Sequence, residues 1–330
     1  MFCFQKSDFH DQNPGGIFAM RLRLIGYFAS IALTLTAFVV IPGTMSAQDE
    51  VISKETKEKI KEVEKIHKEI SKDKFKEEKY KEFCSNNNWN GGDKVSTSEL
   101  REMTVAATSR LEVDGARNGG ISVRGENRSD ILVRACVQAW GSSEEAAKSL
   151  ASSVRVNTGG VIKADGPGEN GWSVSYEILA PRNSNLNLRA QNGGLSVKGI
   201  DGNMELATTN GGVNIADVAG DVKGRTMNGG INVALVGAGW KGSGLDLQTT
   251  NGGVNLAIPS NFAANVEAGT VNGGFSSDFP GLQVERSDDN RYGPQPKKVN
   301  ASINGGGANI RVVTTNGGIR ISSNDRSRSY

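Results

Sequence analysis

Histidine is nearly absent: His10 and His67 are the only two in 330 residues. The stretch from Lys68 to Tyr330 therefore holds no imidazole to serve as general base, proton shuttle or metal ligand, which removes most familiar catalytic constellations from it. An excess of one charge is missing too, since 38 Lys and Arg against 36 Asp and Glu leave a net of +2. So even a balance does not drive whole-molecule binding to nucleic acid. Prolines number only 8 and no strict Gly-X-Y period is present, so collagen is excluded. What is abundant is glycine, with 42 residues, about twice the usual share of roughly 7%. Some other regular use of glycine is implied.

The N-terminal region gives an address. From Leu24 to Ile41 eighteen residues run without a charge, after Arg21 and Arg23 and before Pro42-Gly43 and the small residues Thr44, Ser46 and Ala47. That is the layout of a secretory signal over 20–47, with residues 1–19 as an upstream extension and Met20 as the natural start. Met45 at the −3 position and the length of the apolar run leave an uncleaved membrane anchor as the alternative. No other membrane contact is expected. After removal of this segment Cys84 and Cys136 remain, an even count in an oxidising compartment. One disulfide between them is expected; two unrelated thiols are the other reading.

Residues 48–104 read as a charged helix and a polar linker. Between Val51 and Phe83 stand eleven lysines and nine acidic residues, with Glu55/Lys59, Glu64/Lys68 and Glu77/Lys81 four apart in the order that favours a helix. Ile60, Val63, Ile66 and Ile70 form a narrow stripe suited to docking. The run from Ser85 to Gly92 is polar and ends the helix.

Beyond it the chain repeats. Asn-Gly-Gly recurs at Asn192, Asn210, Asn228, Asn251, Asn272 and Asn316, with an outlying copy at Asn118, and the first intervals are 18, 18, 23 and 21 residues. A period near twenty marks stacked similar units. Each anchor precedes an apolar alternation, such as Val213 and Ile215 or Ile231 and Val233, which is the period of a strand. Four residues before the anchor Leu188, Leu206, Leu247 and Val312 recur, with Gly224 and Ala268 in the same slot elsewhere. Asn-Gly-Gly is read as a corner because Asn and Gly tolerate positive φ. An Asn-Gly β-hairpin is the rival. A second corner at Gly202 and Gly220 favours a coil over a hairpin. Rungs ~4.8 Å apart would stack the asparagines into an amide ladder. The expected fold is mainly β: a single-stranded parallel β-solenoid over 105–323, with the charged helix before it, a short helix Ser143–Ser152 covering its open end, and a polar tail, 324–330. The insertion Ser287–Pro294 is the best exposed loop.

The Asn-Gly-Gly-aliphatic-x-aliphatic rungs, the opening Val113–Val123 and the closing Thr314–Ile319 resemble the bacterial exported β-strand-repeat family whose members are named adhesins, over roughly Val105 to Ser323. The resemblance implies an exported, right-handed solenoid of parallel strands. The adhesin name is itself largely inferred, and the family supplies no catalytic motif to carry over.

Other motifs weigh little. Gly237-Ala238-Gly239-Trp240-Lys241-Gly242 fits Gly-x-Gly-x-x-Gly, but a strand follows where a helix should, so a dinucleotide site is not expected. Asp201, Asp217, Asp221 and Asp246 could serve a β-helical polysaccharide enzyme, yet they stand at different offsets from their anchors and read as turn residues. The residue after Gly-Gly in the rungs is apolar where a calcium turn needs an acid, so calcium turns are not expected. Trp89, Trp140, Trp172 and Trp240 could stack on sugars or plug the core. Asn127 and Asn300 fit glycosylation sequons, which carry little without a host. No cofactor, metal or nucleic acid is expected. The reading is a non-catalytic exported interaction, adhesion or scaffolding module of the envelope that holds an envelope protein or glycan, in the periplasm, on the cell surface or outside the cell. A carbohydrate-active enzyme and an envelope sensor acting through the charged helix are the alternatives.

Overall fold

The computed structural model describes residues 61–62, 83–84, 94–168, 170–284 and 297–324. The chain divides into two units, Met1–Lys74 and Phe75–Tyr330. Of the first, Lys61 and Glu62 are described and helical; all that follows concerns the second. The signal segment, most of the charged helix, the linker Ser85–Gly92, Trp89, the insertion Ser287–Pro294 and the tail from residue 325 lie outside the described residues.

Two ten-stranded sheets make the body. In chain order the strands are β1 (Val95–Ala106), β2 (Arg110–Asp114), β3 (Ile121–Glu126), β4 (Asp130–Gly141), then the helix α1 (Glu144–Ser153), β5 (Arg155–Asn157), β6 (Val161–Asp165), β7 (Trp172–Pro181), β8 (Asn185–Ala190) and β9 (Leu195–Lys198). There follow β10 (Asp201–Asn210), β11 (Val213–Ala216), β12 (Ala219–Asn228), β13 (Ile231–Ala234), β14 (Gly244–Asn251), β15 (Val254–Ile258), β16 (Ala264–Asn272), β17 (Phe275–Ser277), β18 (Lys297–Ile303), β19 (Asn309–Asn316) and β20 (Ile319–Ser323). One sheet runs β1-β4-β7-β3-β9-β11-β13-β15-β20-β17 and the other β18-β16-β19-β14-β12-β10-β8-β2-β6-β5. A rung is one strand of the second sheet, an Asn-Gly-Gly corner and one strand of the first.

The expectation of a purely parallel solenoid needs correction. The inner pairings are parallel, but both sheets are mixed: β1, β4 and β7 pair antiparallel, as do β5 with β6 and β16 with β18. Antiparallel strands stand at three of the four sheet ends, while β17 ends the fourth in parallel with β20. The expected helix exists, capped by the Ser143 hydroxyl that accepts from the Ala146 N–H at 3.2 Å. It packs Ala147 and Ala151 inward and takes Arg101 of β1 on its C-terminal carbonyls, so strands and helix close this end together.

Nor do the rungs follow chain order. The pair β19–β20 lies between β14–β15 and β16–β17, and β2–β3 lies between β6–β7 and β8–β9. At each end the chain steps past a place in the stack that another segment fills. Register holds throughout: Leu188, Leu206, Gly224, Leu247, Val312 and Ala268 form one column, although Val312 precedes Ala268 in space and follows it in sequence.

Alternation sets the core, because inward positions are apolar and outward ones polar along each strand. On the first sheet Leu195, Val213, Ile231, Val254 and Ile319 make one buried column, and Val197, Ile215, Val233, Leu256 and Ile321 a second. Each such side chain contributes about 1.5–3 kcal/mol on burial, and one continuous cluster joins all ten.

The corners turn for a different reason from the one the sequence suggested. No Asn-Gly-Gly residue of any rung has positive φ. A Cβ on the first glycine of the motif, as at Gly211 or Gly229, would overlap the carbonyl oxygen of the same glycine one rung away. Glycine is required there by the close approach of successive backbones. Left-handed backbone does occur in the Asn304-Gly305-Gly306 turn, with φ of 47°, 90° and 80°, which joins β18 to β19 and is not a rung corner.

Candidate functional site

The six anchor asparagines and Asn118 meet in a single line. Asn192 Nδ2 donates to Asn118 Oδ1 at 3.0 Å, Asn210 to Asn192 at 2.7 Å, Asn228 to Asn210 and Asn251 to Asn228 at 2.8 Å. Asn316 donates to Asn251 at 2.8 Å and Asn272 to Asn316 at 2.7 Å, so the line follows spatial order. All six bonds point the same way.

Sequence reasoning missed a second line. A threonine two residues before the asparagine is buried, and its Oγ1 donates to the carbonyl of the first glycine on the neighbouring rung: Thr208 to Gly193, Thr226 to Gly211, Thr249 to Gly229 and Thr314 to Gly252 at 2.8 Å, Thr270 to Gly317 at 2.7 Å. The signal was present as Thr-x-Asn-Gly-Gly. These bonds complete the corner. The asparagine carbonyl accepts from the first glycine N–H of the adjacent rung, as Gly229 N to Asn251 O at 3.0 Å, and the second glycine carbonyl from the next strand, as Ile231 N to Gly253 O at 2.9 Å. The carbonyls of all three corner residues accept bonds in this way, as do the strand groups on either side in their ladders.

Cys84 and Cys136 are joined as a disulfide with their Cα atoms 5.3 Å apart. It ties the helical residues Phe83 and Cys84 to β4.

The two outer faces differ in charge. Across the second sheet Glu205, Lys223, Asp246, Arg311 and Glu267 stand side by side in alternating sign. Arg311 pairs with Asp246 at 2.7 Å and with Glu267 at 3.6 Å, and Lys223 with Asp221 at 3.7 Å. Across the first sheet runs Asn214, Asn232 and Asn255, linked by amide bonds of 2.9 Å, beside Ala216, Ala234 and Ala257. This strip, uncharged between Lys198 on one side and Arg320 on the other, lines a shallow depression of about 340 Å³ whose edge includes Lys198.

The second corner, opposite the asparagine line, falls at Gly199-Ile200 and Asp217-Val218 rather than at the expected Gly202 and Gly220, which lie inside β10 and β12, and it opens into a cleft of about 600 Å³. Gly199 after β9 and Asp217 after β11 both turn left-handed, with φ of 70° and 52°. Aspartate is among the few side chains that tolerate this. The next rung departs: Leu235 stays buried, the chain runs on to Gly237 at φ 81°, and the loop 235–243 projects before β14 begins. These are the residues that lengthen the unit from 18 to 23. The loop is anchored on both flanks. Trp240 Nε1 donates to Gly220 O at 2.9 Å and Gly220 N to Lys241 O at 2.7 Å, while Ala263 N reaches back to Ala238 O at 2.8 Å. The half-buried Trp240 faces the cleft with Val218 and the exposed Val236 beside it, and Arg182, Asn183, Asp201, Asp217 and Lys241 supply its polar lining.

Of the four aspartates singled out in the sequence, the fold brings Asp201 and Asp217 into this cleft and leaves Asp221 and Asp246 on the sheet face with their cations. Of the tryptophans, Trp172 borders a separate cavity of about 570 Å³ near Asp165 and Asn118, and the Nε1 of Trp140 is buried without a hydrogen-bond partner among the described residues. The Tyr176 hydroxyl is in the same state, and burial, then the charges of Asp114 and Asp165, push its pKa far above the usual tyrosine range. No group of three or more His, Cys, Asp or Glu side chains is placed to hold a metal among the described residues.

The Toastrack DUF4097 family model matches residues 98–322. This chain belongs to that family. The match has nearly the extent over which the Asn-Gly-Gly rungs carried the resemblance. Solved structures similar to this Toastrack chain include a "putative cell adhesion protein" from Clostridium sporogenes, 12% identical, with 68% of this chain and 100% of that one covered at a TM-score of 0.37. Others are a "putative adhesin" from Bacteroides fragilis, 10% identical over 69% of this chain and 97% of that one at 0.34, and a "putative lipid binding protein" from Parabacteroides distasonis, 10% identical over 70% and 97% at 0.30. No curated protein matches the chain. Among the described residues no helix is long and apolar enough to cross a membrane.

Proposed function

We propose that this chain is an exported, non-catalytic interaction module of the bacterial envelope, built as a coil of rungs between a charged N-terminal helix and a polar tail. The observation that carries the reading is the uncharged strip on the first sheet. Asn214, Asn232 and Asn255 hold one another's amides at 2.9 Å on parallel strands, so the surface is ordered before any partner arrives. Preorganisation lowers the cost of binding. The carboxylates of the opposite face are engaged with arginine and lysine, which leaves fewer acids free for chemistry. Export is supported by the signal-like run Leu24–Ile41 together with the Cys84–Cys136 disulfide, a bond typical of oxidising compartments.

One observation favours an enzyme: Asp201 and Asp217 share a cleft with an indole. Purified 48–330 screened against envelope proteins and soluble glycans tests both readings. The expected outcome is capture without turnover, weakened when Ala234→Arg places a charge in the strip. Reproducible cleavage of any glycan in the panel would overturn the non-catalytic reading.

A further inference from the structure

We infer that the cleft at the second corner is a binding subsite for the pyranose ring of a neutral sugar, with Trp240 as its stacking platform. This deepens the interaction-module reading and rests on it.

The loop that builds the cleft is longer than the bends that precede it at this corner. Neighbouring units pass from one sheet to the other through the short bends at Gly199-Ile200 and Asp217-Val218, and the rung after β13 could do the same. Instead it carries a longer loop, fixed to Gly220 on one side and to Ala263 on the other. Those bonds hold Trp240 in place at no cost on binding. They also engage the indole N–H, so what Trp240 brings to the cleft lining is ring carbon rather than a donor, part of the ring being packed on the core.

The rest of the lining fits a hexose. Val218 and Val236 extend the apolar wall, and a pyranose has an apolar C–H face to set against it. Around this wall stand acceptors on Asp201 and Asp217, donors on Arg182 and Lys241, and the Asn183 amide, which is both. Two acids and two bases leave no net charge, which suits a ligand that is polar but uncharged and carries several hydroxyls. An acyl chain would leave this polar lining unpaired on burial, and a polyanion would meet both aspartates. A cleft of about 600 Å³ lies within the usual range for small-ligand sites.

The test uses 48–330 labelled with 15N and four probes: the methyl glycosides of glucose, galactose, mannose and N-acetylglucosamine. A single ring should bind in the millimolar range. At least one probe should shift the Trp240 indole resonance, assigned by its loss in Trp240→Phe, while the Trp140 and Trp172 resonances stay still. Trp240→Ala should abolish the response. Val236→Arg alters a residue that is 39% exposed, so it preserves the fold, and should block the mouth and lower affinity at least tenfold. If none of the four moves the Trp240 signal, or if Val236→Arg leaves the affinity unchanged, the subsite is wrong. Capture of an envelope partner through the Asn232 strip would then still stand. Conversely, hydrolysis of a glycoside bound at Trp240 would keep the subsite and overturn the non-catalytic reading.

Discussion

Asn228 donates its side-chain amide to Asn210 across 2.8 Å and accepts the same bond from Asn251 at 2.8 Å. Each interior asparagine is therefore both donor and acceptor, and a change at one position is felt on two rungs.

Asn228→Ala removes both bonds. With each exposed bond contributing about 0.5–1 kcal/mol net, the loss should be roughly 1–2 kcal/mol. Asn118→Ala, at the end of the line, removes one bond and should cost about half as much. Urea midpoints of the two variants check the ratio.

Thr226→Val keeps the shape of the side chain and deletes the hydroxyl that donates to Gly211 O. The loss should be about 1–3 kcal/mol, because a part-buried carbonyl loses its side-chain donor. Thr226→Ser keeps the donor and should fall between the two in equilibrium unfolding.

Gly229→Ala and Gly230→Ala separate the two glycines of one corner. At Gly229 the new methyl overlaps the backbone of Gly211, and a loss above about 4 kcal/mol or failure to fold is expected. At Gly230 the nearest heavy atom is Gly253 O at 3.4 Å. There the change should stay within about 1 kcal/mol, helped by a less flexible unfolded chain. Equal melting temperatures for the two variants would contradict the close-approach account.

Tyr176 is buried with its hydroxyl unpaired and its pKa raised. In the folded state it keeps its proton where the unfolded chain releases it, so its stabilising contribution is complete below about pH 10 and falls as pH rises beyond that, by ~1.4 kcal/mol per unit. Tyr176→Phe should remove this part of the alkaline loss and leave the protein equally stable or more so at neutral pH. Chemical denaturation across pH 8 to 11 in both proteins, about the unfolded tyrosine value of ~10, measures the difference.

Reduction of Cys84–Cys136 opens a link across 52 residues. The chain-entropy estimate puts the loss near 4 kcal/mol as an upper value, and Cys136→Ser with and without reductant checks it.

The repeat was legible because alternation and a constant anchor survive in the sequence: Val213, Ile231 and Val254 fall in one column without gaps. The corner was located but misexplained. Positive φ is a property of one residue and its neighbours, whereas the clash that selects Gly229 comes from Gly211 a whole rung away. The antiparallel end strands were missed since β4 and β7, flanked by unrelated segments, carry the same alternation whichever way their neighbour runs. Rung order was hidden for a related reason. Asn251, Asn316 and Asn272 share one register, so nothing local says which of the last two stands next to Asn251. At the cleft, Asp201 and Asp217 were visible as residues, but their meeting with Trp240 depends on a loop whose path no periodicity encodes.

The interposed position of β19–β20 bears on how the polypeptide is made. Because Ile310 and Val312 are synthesised after Val266 and Ala268 yet pack further in, the layer next to β14 is delivered last. Until β19 and β20 emerge, β14 and β15 lack their native neighbours on that side. Loss of the last twenty or so residues would therefore not shorten the structure from its tip; it would take out an inner layer and detach the one beyond.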